Sequence, residues 1–151
     1  MAKTVLLARP HPFIIAEMKP LLEYCGYAAA KLENLADLAV QAKSSAGVVI
    51  SLAVSSSLGE TAAEVFIRLR QGVPRIPVLF AAMLPLDKAL SSLERLAKQT
   101  GVQATILGVA AGNENAVALG KPETFLYISK DDLTEAPRRV IASRMIQRHF
   151  R

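Results

Sequence analysis

The sequence predicts an α/β chain, a doubly wound parallel sheet with helices on both faces. Three observations carry that expectation. Ala46-Gly-Val-Val-Ile-Ser-Leu52 is an apolar run without polar alternation, which marks a strand covered on both sides by helix layers. From Lys3 to Leu107, short apolar runs alternate five times with segments of helical period, joined by short connections as parallel β-α-β units require. Hydrophobic residues make up 52% of the chain and aromatics only 5%, a surplus of small and aliphatic side chains that suits a buried sheet. On such a sheet, ligands and reactive side chains sit beyond the carboxyl ends of the strands. Ser51 and Ser55-Ser-Ser57 hold that place after the central run, with no acid among them.

Taken in order, Lys3-Thr-Val-Leu-Leu-Ala8 reads as a first buried strand, and Arg9-Pro-His-Pro12 leaves it because proline cannot continue a ladder. A helix from about Pro12 to Cys25 carries Ile14, Met18, Leu21, Leu22 and Cys25 on one stripe, with Gly26 as its left-handed cap. Pro20 inside that stripe implies a kink or a late start. Tyr27 to Leu32 is an alanine-rich second strand, followed by a helix from about Asn34 to Ser44 with an Asn cap. A loop from Ala53 to Thr61 leads into a helix ending near Gln71, with Ala62, Val65, Phe66 and Leu69 on its buried face. Ile76 to Ala82 is a fourth strand with Pro77 at its start, Leu86 to Thr100 the clearest helix, and Val102 to Leu107 a fifth strand. Beyond Gly108 the rhythm changes. Thr124 to Ser129 resembles another short strand, and a last helix begins near Thr134 because Pro137 is tolerable only in a first turn.

A chain of 151 residues fits one domain, 1–151, able to bury roughly 70% of its unfolded surface without staples. Residues 109–151 read as a divergent carboxyl-terminal extension of that domain. The lone Cys25 excludes a disulfide framework and fits a reducing cytoplasm. No apolar run reaches the ~18 residues of a membrane span. The formal net charge of +5 is concentrated: residues 138–151 carry five arginines and no acid. Residues 1–137 carry the other 13 basic side chains and all 13 acids, so the body is neutral and the tail basic.

Five β-α units of this size and order, together with the Ile76-Pro-Val-Leu-Phe-Ala-Ala82 strand, resemble the receiver domain of bacterial response regulators over roughly residues 3–108. The resemblance implies a flavodoxin-like sheet of order 2-1-3-4-5. It also implies a phosphoacceptor aspartate ending strand three, an acidic pair for magnesium after strand one, a Thr or Ser ending strand four, and a lysine after strand five. Here Ser51 takes the aspartate's place, Ala8 and Arg9 that of the acids, and Ala81 or Ala82 that of the hydroxyl. Lys121-Pro122 has the look of the fifth-strand lysine but comes about 40 residues after Ala82. Without a carboxylate to take the phosphoryl group or acids to hold its metal, the expectation is a pseudo-receiver: no enzyme, no cofactor and no metal.

Other stretches carry competing readings. Ser55, Ser56, Ser57 and Thr61 with Arg9 form an anion-binding candidate for a nucleotide or other small anion; the same loop also reads as a Ser57 cap with Glu60 completing a capping box. His11 has no Ser, Cys or acid tied to it by a recognisable spacing, and the Gly108 to Asn115 loop lacks the full glycine fingerprint. On a terminal helix Arg144, Arg148 and Arg151 form one stripe, while Ile141, Met145 and the neighbouring Ala142, Ile146 and Phe150 form an apolar one. The arginines read as a partner-binding face or a solvated one. Nucleic acid is disfavoured because no helix-turn-helix precedes them and no aromatic residues interleave them. The reading is a non-catalytic signalling module that meets another signalling protein, with a homodimer as a further expectation.

Overall fold

The computed structural model describes residues 3–9, 14–52, 61–109 and 116–150. Six strands form one parallel sheet: β1 (Thr4–Arg9), β2 (Ala28–Lys31), β3 (Gly47–Ser51), β4 (Val78–Ala82), β5 (Thr105–Gly108) and β6 (Thr124–Ser129). The doubly wound class is as expected, but the strand order is β2-β1-β3-β4-β6-β5, so the order 2-1-3-4-5 is corrected. Thr124–Ser129 enters the sheet between the fourth strand and the expected fifth, and pushes the latter to the edge. Its physical reason is burial. All six residues of β6 are buried, whereas β5 opens with exposed Thr105 and half-buried Ile106 and so suits a rim.

Side chains alternate across the sheet into two cores. Leu6, Ala8, Val48, Ile50, Val78, Phe80, Phe125 and Tyr127 face α2 (Leu38–Lys43), α3 (Ala62–Gly72) and α4 (Leu86–Thr100). Val5, Leu7, Val49, Leu79, Ala81, Leu126 and Ile128 face α1 (Lys19–Tyr24) and α6 (Ala136–His149). Fully burying each large aliphatic contributes about 1.5–3 kcal/mol, so this double coverage is the main force holding the layers. Phe80 and Phe125 meet at a tilt of 60° with centroids 4.8 Å apart, and Phe66 of α3 meets Phe125 edge-on at 5.2 Å.

Local chemistry sets the element ends. Ile14–Met18 is a π-helical turn that passes into α1 at Lys19, so Pro20 falls in the first turn of α1, where its missing N–H costs little. Of the two expectations for Pro20, the late start holds. Asn34 caps a 3₁₀ turn at Leu35–Asp37 before α2, its Oδ1 accepting from Ala36 N at 3.0 Å. Helix α4 ends at Gly101, whose φ of 73° is left-handed. The last helix differs from expectation. Ser129 and Asp132 form a reciprocal capping box that starts a separate short helix, α5 (Lys130–Thr134), and α6 follows with Pro137 in its first turn. No described helix is long and apolar enough to cross a membrane.

Candidate functional site

The carboxyl ends of the strands bring together the residues singled out by sequence. Arg9 closes β1, Ser51 closes β3 and pairs with Ala81 of β4, and Ala82 pairs with Ser129 of β6. Arg9 belongs to the strand rather than to the loop after it, and the register with β3 shifts between Leu7 and Arg9. Its side chain is only 2% exposed, and Nη1 donates to the Ser51 carbonyl at 2.7 Å. The guanidinium therefore spans the ends of β1 and β3. Burial draws its pKa below the ordinary value and the Glu64 carboxylate of α3 opposes that shift. A guanidinium starts so high that it stays charged.

Other predicted positions are packing residues. Ala8 lies in the core under α2 to α4 and Ala81 in the core under α1 and α6, while Ala82 is half-buried at the rim. Ser51 is wholly buried. Thr61 caps α3, its hydroxyl accepting from Glu64 N at 3.2 Å. That corrects the Ser57–Glu60 capping expectation, since the helix starts at Ala62. Ser55, Ser56 and Ser57 lie outside the described residues, as do His11, Arg151 and positions 110–115 of the glycine-containing loop.

Sequence reasoning overlooked three residues of this edge. Lys130 directly follows β6, the strand that stands beside β4, whereas Lys121 precedes β6 at the opposite edge of the sheet. The signal was present in Ile128-Ser-Lys130, a basic residue immediately after an apolar run. Asp132 is the second. Its Oδ2 accepts from Ser129 N at 2.8 Å and its Oδ1 pairs with Arg138 Nη2 at 2.9 Å. The third is Tyr127, buried in β6, whose hydroxyl donates to the Leu84 carbonyl and holds the segment after β4 against β6. Burial raises the Tyr127 pKa, and nearby Asp132 adds to it, so the phenol stays protonated and donates.

The amino edge is built differently. His149 is fully buried; the Gly120 N–H donates to its Nδ1 at 2.9 Å, so the ring proton sits on Nε2 and is donated to the Val78 carbonyl at 2.9 Å. Burial holds this imidazole at a pKa of about 4, the bond to Val78 opposing the shift. A cleft of about 360 Å³ lies there among Ala46, Pro77, Val117, Gly120, Lys121 and His149, away from the predicted site residues. Among the described residues, no three His, Cys, Asp or Glu side chains gather as a metal site would need.

The chain is similar in structure to NtrX from Brucella abortus, with a TM-score of 0.54 at 12% identity. That match covers 98% of this chain and 28% of the other, so this chain spans less than a third of that protein. It is also similar to the receiver domain of a sensor histidine kinase from Pseudomonas aeruginosa PAO1, solved with a magnesium ion coordinated in its active-site cleft. There the TM-score is 0.51 at 14% identity, covering 96% of this chain and 98% of that one. No family model and no curated protein matches the sequence. At these identities the likeness is one of fold, and the fold is that of response-regulator receiver domains.

Proposed function

We propose that this chain is a non-catalytic signalling or protein-interaction module that uses a receiver fold without aspartyl phosphorylation. The observation that carries this reading is the Arg9 guanidinium, buried at the end of β1 and bonded to the Ser51 carbonyl at 2.7 Å. Phosphoryl transfer to a carboxylate needs an acceptor acid and a divalent cation held by acids, because the transferred group is strongly anionic. At the ends of β1 and β3 this chain has a fixed cation and a serine. A resident positive charge opposes entry of a second cation, and Ser51, wholly buried, has a hydroxyl in place of a nucleophilic carboxylate. The Arg9–Ser51 bond also joins the two strand ends, which favours a fixed surface over a switched one.

A small-anion site is the weaker reading. Arg9 is engaged with Ser51 and Thr61 with the α3 terminus. Incubation of the full chain with acetyl phosphate and magnesium, read by intact mass and hydroxylamine sensitivity, tests the proposal. No hydroxylamine-sensitive adduct is the expected result. An acyl phosphate mapped to any Asp or Glu overturns it.

A further inference from the structure

We propose that His149 is an acid-sensitive latch: a proton added to its buried ring releases the turn at residues 116–121 from the end of α6 and reshapes the cleft at the amino edge of the sheet. The device lies at the edge opposite Arg9 and does not rest on the reading of the carboxyl edge. The geometry behind it is an imidazole with both nitrogens committed. The Gly120 N–H donates to Nδ1 at 2.9 Å and Nε2 meets the Val78 carbonyl at 2.9 Å, with the ring wholly buried. A neutral ring supplies the one acceptor and one donor that these partners need, whereas an imidazolium has two donors and no acceptor. Whichever way the ring is turned, a protonated nitrogen then meets the Gly120 N–H. The turn is the partner that yields, because Val78 belongs to β4, paired on both sides by β3 and β6.

The turn can move as a unit. Leu119 N–H donates to the Ala116 carbonyl at 3.3 Å, Lys121 N–H to the Ala118 carbonyl at 3.2 Å, and the Thr124 hydroxyl to the Ala118 carbonyl at 2.7 Å, all without His149. Gly120, with a left-handed φ of 92°, lies close on α6: a Cβ there would stand 3.4 Å from the Arg148 carbonyl oxygen. Leu119 anchors the turn in the core that Met145 and Phe150 share, which favours the closed form when the ring is neutral. Gly120 and Lys121 line the cleft of about 360 Å³ together with Ala46, Pro77 and His149, so releasing them opens it.

No acid lines that cleft. The charged side chains at the ring are Lys121 across the cleft and Arg148 before it on α6, and lysine and arginine are cations throughout the acid range. Tyr27 meets the neighbouring Phe150 ring, and burial raises its phenol to about 12, so it stays protonated. Lys3 before β1, Arg75 before β4 and Glu123 after the turn are exposed and do not line the cleft. Closed, burial holds His149 at about 4; open, the ring regains its ordinary 6.5, so falling pH draws the equilibrium toward the open form.

Backbone amide exchange of the full chain between pH 7.5 and pH 4.5, corrected for the intrinsic pH dependence of exchange, tests the latch. The Gly120 amide should be less protected than the Leu79 and Leu126 amides of the sheet, because it opens without the fold. Its protection should fall by up to about tenfold per unit as pH drops below 6.5. Ring-nitrogen shifts should show the proton on Nε2 at pH 7.5 and uptake of a second proton well below pH 6.5. In His149→Gln, whose amide offers an acceptor and a donor but does not titrate, the pH dependence at Gly120 should vanish. Gly120 protection equal to that of the sheet amides, or protection flat with pH, overturns the proposal. A dependence retained in His149→Gln assigns it to another group such as Glu123 and overturns it as well. If that variant does not fold, the parent chain decides: a ring that takes its second proton while Gly120 keeps its protection is no latch.

Discussion

Two basic side chains are buried at opposite edges of one sheet, and they meet the cost of burial in opposite ways. Arg9, at the carboxyl ends, keeps its charge and directs it at a backbone carbonyl and toward Glu64. His149, at the amino ends, gives up its charge and becomes a neutral link between Gly120 and Val78. The difference follows from intrinsic basicity. Desolvation of a few pKa units neutralises an imidazole but leaves a guanidinium charged. One edge therefore carries a permanent positive charge at the carboxyl ends of β1 and β3, and the other a structural latch that acid can open.

The largest expected effect tests how far the latch depends on fit beyond His149. The Phe150 ring lies directly on Gly47 at the start of β3: a Cβ added at Gly47 would stand 2.0 Å from Phe150 Cδ1. Tyr27 completes the seam, its hydroxyl donating to the Phe150 carbonyl at 2.6 Å, with the phenol pKa raised by burial to about 12. Phe150→Ala should cost about 3–5 kcal/mol in urea unfolding. Gly47→Ala should cost a comparable amount in the parent chain and far less in the Phe150→Ala background, because the ring it displaces is gone. Additive losses from the two changes would mean that the seam is not a unit.

The second effect reads the histidine itself. Its folded pKa of about 4 lies below the unfolded value of 6.5, so the folded state favours the neutral ring. That stabilisation is fully present above pH 6.5 and is lost as pH falls through the window down to about 4. At about 1.4 kcal/mol per unit the full loss is about 3–4 kcal/mol. Urea midpoints at pH 7.5 and pH 5 should separate for the parent chain. They should draw together in His149→Gln, which keeps polar atoms near both backbone partners but does not titrate. An unchanged pH slope in that variant would exclude His149 as the acid-sensitive group.

Legibility in the sequence divides along the chain. Strands with continuous Val, Ile and Leu, such as Gly47–Ser51, were evident because burial on both faces leaves a plain apolar signature. Strand order was not, because it depends on which run is buried more completely. Thr124-Phe-Leu-Tyr-Ile-Ser129, with its aromatics, displaces the more polar Val102-Gln-Ala-Thr-Ile-Leu107 to the rim. The capping box at Ser129 and Asp132 is written in the residues, but the helix it starts is only five residues long and so has no periodic stripe to mark it. At the site, Ala8, Arg9 and Ser51 stand where the resemblance to receiver domains implies acids, and that much was plain from the residues. That Arg9 turns inward was hidden, since an arginine after a strand is ordinarily exposed and the Ser51 carbonyl that receives it lies 42 residues away in sequence.

The smallest effect sharpens the contrast from the other edge. Arg9→Met keeps much of the length and packing of the side chain but removes the donor, leaving the Ser51 carbonyl without this bond in a buried position. The loss should be about 1.5–3 kcal/mol, the contribution of a hydrogen bond from a charged donor. Because the guanidinium does not titrate near neutrality, this loss should be the same at pH 5 and pH 7.5, in contrast to the loss at His149. Urea unfolding at the two pH values decides it. A penalty that differs between the two pH values would mean that the contribution of Arg9 is not set by the bond to the Ser51 carbonyl alone.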